Sequence, residues 1–417
     1  MPITLEANQR LLYHLKGLTT GCNVLHLGAH PDDEDVGLLA YLACKYGFPT
    51  YYWSATRGEG GQNRVNDYQA EALGVFRSWE SLDARGHDRA TSLFGPFFDF
   101  GFSKTADDAL SRWGHDTVVR EIVRAIRTVQ PHIVITRWQG HAGDFHGQHQ
   151  AVGKAAVEAF DAAGNPQRYP ELSLPPWQPL KFYESMDSSG GDQSAGGALN
   201  LEGRRLAELE REGIVRINTG EFDSISGMTY QQRAWLAYNH HRTQGMGVTP
   251  KPGDFYYYFR LKKSLVPVEP REEALVSGFD PSLLGLADHP GDGNEFLRER
   301  LLPIVEKTTQ AVANFGLLNQ ADAGAVLLHA CTRLRELHRD LRDAGLEPPC
   351  AAALDRYFVY RSGAFQEAAA RCMGLELEGL SDRLRTVPGD RLRVSARLWS
   401  KRGIGVDSAR FRLAVPR

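Results

Sequence analysis

Between about residues 22 and 185, short apolar runs alternate with longer stretches whose apolar residues recur at helical spacing. That alternation predicts a parallel α/β sheet. "NVLHLGA" (23–29), "PTYYWSAT" (49–56), "HIVITRW" (132–138) and "PLKFYES" (179–185) read as strands. Helices are predicted in "DVGLLAYLACKYG", with Val36, Leu39, Ala40 and Ala43 on one face, and in "VNDYQAEALGVF" (65–76). Two more are expected at 115–130, where Val118, Ile122, Ala125, Ile126 and Val129 share a face and Pro131 ends the run, and at 147–160.

Beyond the last strand the pattern changes. "MDSSGGDQSAGGALN" has the Gly and Ser content of a mobile loop or lid. "YQQRAWLAYNHHRTQGMG" (230–247) predicts a helix stopped by Gly245 and Gly247, and the α/β unit is expected to end near residue 262. A Pro- and Gly-bearing connection leads to three helical patterns within 294–372, the clearest placing Leu327, Leu334, Leu337 and Leu341 on one stripe. The final stretch alternates apolar and polar residues around Val387, Leu392, Val394, Ala396 and Leu398, which predicts hairpin strands. So small a sheet rarely stands alone, so it either packs on the body or begins a sandwich. The expected division is 1–262 for the α/β unit, 263–372 for a helical appendage and 373–417 for the β segment.

Composition narrows the function classes. The chain has 417 residues, 42% hydrophobic and 24% charged, with a formal net charge of −3. That balance gives no bulk basic field for nucleic acid or anionic lipid. The five cysteines, Cys22, Cys44, Cys331, Cys350 and Cys372, show no CxxC spacing. Neither a disulfide framework nor a thiolate zinc site is indicated. No apolar run reaches 18 residues and the N-terminus lacks the pattern of a signal peptide. The chain as written is expected to be soluble and cytoplasmic, or secreted or periplasmic if a signal peptide has been removed.

In open parallel sheets, sites form beyond the carboxyl ends of strands. Three polar clusters fall there: "AHPDDE" (29–34), "TRGEGGQNR" (56–64) and "QGHAGDFHGQH" (139–149). His30 and Asp33, three apart in a turn, can point at one locus while Asp32 leaves in another direction. A second imidazole from His141, His146 or His149 would complete two nitrogens and one oxygen, a donor set suited to zinc with an open position. Metal-bound water loses a proton near neutrality, and Asp32 is the carboxylate placed to take it. Of the helix-start pair His146 and His149, one would bind metal and the other stabilise an oxyanion or protonate a leaving amine. Glu34 and Asp35 are expected to cap the following helix. The "GEGG" loop binds a phosphate or merely turns.

"AHPDDE" followed about 110 residues later by "HGQH" resembles the PIG-L (LmbE-like) family of zinc-dependent N-deacetylases. "TRGEGGQN", "FDFGFSKTADDALSRWGHD" and "HRTQGMG" support the resemblance, which covers roughly 20–260. It implies a Rossmann-like, mostly parallel sheet flanked by helices. It further implies Zn²⁺ held by His30, Asp33 and His149, Asp32 as general base, and His146 at the oxyanion or the departing amine. The implied reaction is removal of an acetyl group from an N-acetylglucosamine-type small molecule or glycoconjugate. Arg57, Asn63, Arg64, Asp144, His241 and Gln244 are the expected substrate contacts. Some sugar-thiol deacetylases of the family carry a tyrosine where this chain has Asp144, a departure that argues against carrying over their substrate. Competing readings are an amidase of a thiol conjugate or other non-sugar amide, and a carbohydrate-binding protein with a degenerate site.

Overall fold

A computed structural model describes residues 5–186, 213–269, 272–288, 294–316, 319–383, 387, 389–401, 405 and 411. The predicted Gly/Ser-rich loop lies mostly outside these residues. The chain opens with α1 (Leu5–Gly17) and enters β1 (Val24–Gly28), all of whose residues are buried. α2 (Val36–Ala40) continues into a π-helical turn, Tyr41–Tyr46, that stops at Gly47 in the left-handed region. There follow β2 (Thr50–Ser54), α3 (Ala70–Asp88), β3 (Thr91–Phe94), α4 (Ala106–Trp113), α5 (His115–Val129) and β4 (Ile133–Thr136). α6 (Gly147–Gly164) and β5 (Lys181–Ser185) complete the parallel part. After residue 213 come β6 (Ile214–Asn218), a small pair β7 (Phe222–Asp223) and β8 (Met228–Thr229), α7 (Tyr230–Tyr238) and β9 (Tyr256–Ser264).

The main sheet has seven strands in the order β3-β2-β1-β4-β5-β9-β6. β1, β2, β3, β4 and β5 run parallel, whereas β9 is antiparallel to both β5 and β6. The sheet is therefore mostly parallel, as expected, with an antiparallel edge that the sequence did not announce. From β1 the chain first builds outward through β2 and β3, then returns to lay β4 on the other side of β1. The crevice where these directions part is the topological switch point, where open α/β sheets place ligands. One face is covered by α4, α5 and α6 around Leu25, Leu27, Ile122, Val134, Ala155 and Phe182. The other face packs Tyr13, Leu38, Leu42, Ile135, Val215 and Tyr257.

Two helix boundaries differ from the sequence expectation, each for a local reason. The helix expected at 65–76 begins instead at Ala70 and runs on to Asp88. Asn63 accepts from the amides of Val65 and Asn66 and donates to the Tyr68 carbonyl, so side-chain bonds hold this stretch out of the helix. α7 stops at Tyr238 rather than near Gly245. Asn239 pins Val248 through both its amide atoms at 2.7 and 2.9 Å, folding the chain back early.

The three helical patterns expected within 294–372 appear as α8 (Glu295–Ala313), α9 (Gln320–Asp340) and α10 (Pro348–Cys372). Their core takes in Leu11 and Leu15 of α1 and Leu18 just beyond it, together with Leu301, Leu327, Leu334 and Phe358. α10 also reaches the sheet body, where Gln130 Nε2 donates to the Ala353 carbonyl at 2.6 Å and Tyr357 donates to the Gly21 carbonyl at 2.5 Å. The last strands, β10 (Leu375–Ser381) and β11 (Val394–Ser400), form a separate antiparallel pair. Val387 and Leu392 lie in their connection rather than in a strand. No helix among the described residues is long and apolar enough to cross a membrane.

Candidate active site

β1 ends at Gly28, where the backbone passes so close to Tyr52 that a Cβ would lie 2.2 Å from its hydroxyl oxygen. Only glycine admits that approach. The turn that follows is tied by its own aspartate. Asp33 Oδ2 accepts from the amides of Ala29 (2.8 Å) and His30 (2.9 Å) and from Trp138 Nε1 (2.8 Å). Tyr52 donates its hydroxyl to the His30 carbonyl. Three donors on one carboxylate fix both Asp33 and the start of the turn.

β4 delivers the opposing wall. His30 Nδ1 and His149 Nε2 face each other at 3.1 Å. Each stands 3.5 Å from Asp33, to Oδ2 and Oδ1 respectively. Among the described residues, His30, Asp33 and His149 are the group whose donor atoms could share one metal ion. The outer ring nitrogens explain why those atoms point inward. His30 Nε2 lies 2.9 Å from Gln148 Oε1, and His149 Nδ1 lies 3.0 Å from the Asp144 carbonyl. An oxygen acceptor on the outer nitrogen fixes the proton there and leaves the inner lone pair for a cation. Gln148 is oriented in turn, donating to Asp99 Oδ1 (3.1 Å) and the Gly101 carbonyl (3.0 Å). Trp138 stacks flat on His149 with ring centroids 3.7 Å apart. Two imidazoles and a carboxylate held this way fit zinc.

The electrostatics point the same way. Burial alone would lower His30, yet Asp33, Asp99 and Asp32 overcome it and raise its pKa to about 10. A field that strongly favours a proton there also favours a cation. Burial tends to raise Asp33, but His149, His30 and the hydrogen bonds from His30 and Trp138 hold it well below the usual carboxylate range. Burial pulls His149 down to about 3. Asp32 behaves oppositely: burial, then the charge of Asp33, push it up to about 6.

His146 is the N-cap of α6, its Nδ1 accepting from the Gln148 amide at 3.2 Å. The ring proton therefore sits on Nε2. Its ring centroid is 5.1 Å from that of His30, 4.9 Å from that of His149 and 5.1 Å from that of Phe102. Phe145, immediately before it, holds a positive φ of 59° while its side chain stays 65% exposed. A bulky residue so strained and so open is unusual outside functional sites. His141 stays apart, capping a short turn through Gly143.

The remaining expectations divide. Glu34 and Asp35 cap nothing: Asp35 occupies the N-cap position without a side-chain bond, and both carboxylates turn into buried pairs. Glu34 meets Arg85 (2.9 Å) and His241 (2.8 Å), which hold it down at about 2 against the effect of burial. Asp35 meets His26 at 2.9 Å. His241 is consequently inaccessible to substrate. Asp144, also buried, accepts from the amides of Gln139, Gly140 and His141 and shapes the loop instead. Arg57 donates to Ser78 Oγ at 2.7 Å and lies over the Phe94 ring. Asn63 ties the 63–68 loop, Arg64 is exposed beside Gly245, and Gln244 is half-buried. Gln148 and Asp99 were missed. Gln148 lies inside "HGQH" and Asp99 inside "FDFGFSKTADDALSRWGHD", stretches singled out for the resemblance without a role for either residue.

A mostly parallel, doubly wound α/β protein with a histidine–aspartate–histidine cluster at its switch point is the class that fold and site define. Residues 25–160 match the family model described as PIG-L, GlcNAc-PI de-N-acetylase. The chain is 32% identical over 178 residues to a 1D-myo-inositol 2-acetamido-2-deoxy-alpha-D-glucopyranoside deacetylase of Rhodococcus opacus, covering 38% of this chain and 60% of that one. The match therefore spans less than two thirds of that relative's length. A mycothiol S-conjugate amidase of Streptomyces coelicolor is 25% identical, over 62% of this chain and 93% of that protein. Among solved structures, the N,N'-diacetylchitobiose deacetylase of Pyrococcus horikoshii is similar at a TM-score of 0.37 and 16% identity, covering 53% of this chain and 70% of that one.

Proposed function

We propose that this protein is a zinc-dependent N-deacetylase of N-acetylglucosamine-type substrates. The observation that carries the reading is the convergence of His30 Nδ1, His149 Nε2 and Asp33 with both outer ring nitrogens already committed to oxygen. His30, Asp33 and His149 would hold the ion, which when bound supplies Lewis acidity that polarises a carbonyl and acidifies water.

The chain's own residues account for the proton movements. Asp32, raised to about 6, takes a proton from the attacking water. The water oxygen bonds to the carbonyl carbon, and the carbonyl oxygen gains negative charge. His146 presents its Nε2–H to that oxygen, an orientation fixed by the Gln148 amide on Nδ1. The C–N bond then breaks, Asp32 returns its proton to the departing nitrogen, and acetate and a free amine result. Removing an acetyl group and cleaving a thiol-conjugate amide share these steps. The similarity to the Streptomyces amidase keeps the second as the rival substrate class.

Acetate release from N-acetylglucosamine glycosides, with zinc content measured on the same sample, tests the reading. Acetate released in proportion to bound zinc is the expected result. A zinc-free protein, or a zinc-replete one that cleaves only thiol-conjugate amides, overturns it.

A further inference from the structure

α3 packs against α2, α7 and β3, burying Leu73, Arg77, Ser81 and Ala84 on that side. A helix covered on one side ordinarily turns charged and polar residues outward. The outward side of α3 is apolar instead. Ala72, Val75, Trp79, Leu82 and Gly86 are all exposed, Val75 at 58%, Trp79 at 64% and Leu82 at 46%. Their spacing of three, four, three and four residues is that of the a and d positions of a coiled-coil seam, and no charged residue interrupts it. An exposed apolar stripe of this extent marks a contact surface.

The order of residues along the stripe indicates what covers it. Read from either end, it runs small residue, branched aliphatic, tryptophan, branched aliphatic, small residue. A partner related by a two-fold axis presents the same surface in reverse, so its contact must match itself when inverted. An antiparallel second α3 centred on Trp79 sets Val75 against Leu82 and Ala72 against Gly86. The small pairs let the helix ends close around the central indoles. Gly86 is open to such an approach, since a Cβ there would meet nothing within 4 Å.

Charge and area fit the same partner. Phe76, Glu80 and Asp83 follow one another along one flank of the seam, and Glu80 binds the amide and hydroxyl of Thr243. The Thr243 carbonyl accepts from the amide of the exposed Arg64, so a cation stands on that flank. Antiparallel pairing brings Asp83 of one copy level with Val75 of the other, on the flank that carries Arg64. Parallel pairing would set Asp83 against Asp83. The 19-residue helix is about 28 Å long. Two such seams, with Phe76 beside each, bury on the order of 1,000 Å² in total, about the least that a specific contact needs. A contact of that size gives a weak dimer, dissociating in the micromolar range.

We propose that α3 is the interface of a two-fold homodimer in which the seams of two copies pack antiparallel about Trp79. The proposal stands independently of the reaction at the histidine cluster.

Sedimentation equilibrium on the full chain across micromolar concentrations should show a monomer–dimer equilibrium. Trp79→Glu and, separately, Leu82→Lys should each weaken association at least about tenfold while the far-ultraviolet circular dichroism stays unchanged. Cysteine crosslinking reads the register. Under mild oxidation Trp79→Cys should form a covalent dimer, and Val75→Cys should link to Leu82→Cys when the two are mixed, with neither linking to itself. A chain that stays monomeric throughout, or a dimer that survives both seam substitutions, overturns the proposal. So does a Val75→Cys variant that crosslinks to itself, which would mean parallel pairing. In a monomer, acrylamide quenching compared between wild type and Trp79→Phe names the alternative: a shielded Trp79 means that another segment of this chain covers the seam, and a freely quenched one leaves it to a different protein.

Discussion

The turn from His30 to Asp35 has two sides, and both pair histidine with carboxylate. Facing the cleft, Asp33 stands against His30 and His149. Facing away, Asp35 meets His26 at 2.9 Å and Glu34 meets His241 at 2.8 Å. By residue type and proximity the three sites are alike. They differ in where the second ring nitrogen goes. In the inward pairs Nδ1 of His26 and of His241 is buried without a partner, and each imidazole is spent on a single carboxylate. On the cleft side the outer nitrogens are bonded to oxygen and the inner ones converge. The direction of the lone pairs, rather than a short contact, separates a ligand from a structural histidine.

The comparison can be broken most severely at His149. His149→Ala should drop bound zinc from near one per chain to below about a tenth, measured by elemental analysis, because two donors are too few for a stable site. Retained zinc would remove His149 from the ligand set. Next comes Asp32→Asn, which should keep the zinc and lower kcat by roughly 10² to 10⁴. Steady-state kinetics that return wild-type turnover would end its assignment as base.

Glu34→Gln addresses the inward side. Leaving Arg85 and His241 short of a buried partner should cost about 3 kcal/mol and lower the thermal midpoint by several degrees, with zinc content unchanged at room temperature. Lost zinc with an unshifted melting curve would mean that the two sides are not divided as described. The smallest effect is expected from Gln148→Leu, which removes the acceptor on His30 Nε2. Zinc affinity, measured by chelator competition, should weaken by about 10- to 100-fold. An unchanged affinity would show that the outer bond on His30 does not orient the ring.

The meeting of His30, Asp33 and His149 was readable because "AHPDDE" and "HGQH" each put the residues concerned within six positions, at the ends of strands marked by apolar runs. Local spacing and strand periodicity were enough to predict which elements meet. The inward side was not readable. Glu34 and Asp35 have the sequence appearance of helix caps, and Glu34's partners Arg85 and His241 lie 51 and 207 residues away. A buried ion pair leaves no local pattern, since its cause is the packing of α3 and α7 against α2. The same reason hid Asp99. The antiparallel edge was missed because β6 and β9 pair across the intervening β7–β8 pair and α7, a non-local pairing that leaves no local pattern. The C-terminal alternation, by contrast, gave the correct structure type while placing apolar strand positions at Val387 and Leu392, which lie in the connection after Leu375–Ser381.

Trp138 touches the cluster twice, donating its indole N–H to Asp33 and lying flat on His149. An indole so placed is an optical probe that the protein already carries. A cation drawing charge from both neighbours would alter the polarity its excited state senses, so its emission should track filling of the site directly. The chain has six other tryptophans, and Trp138→Phe supplies the subtraction that isolates this signal.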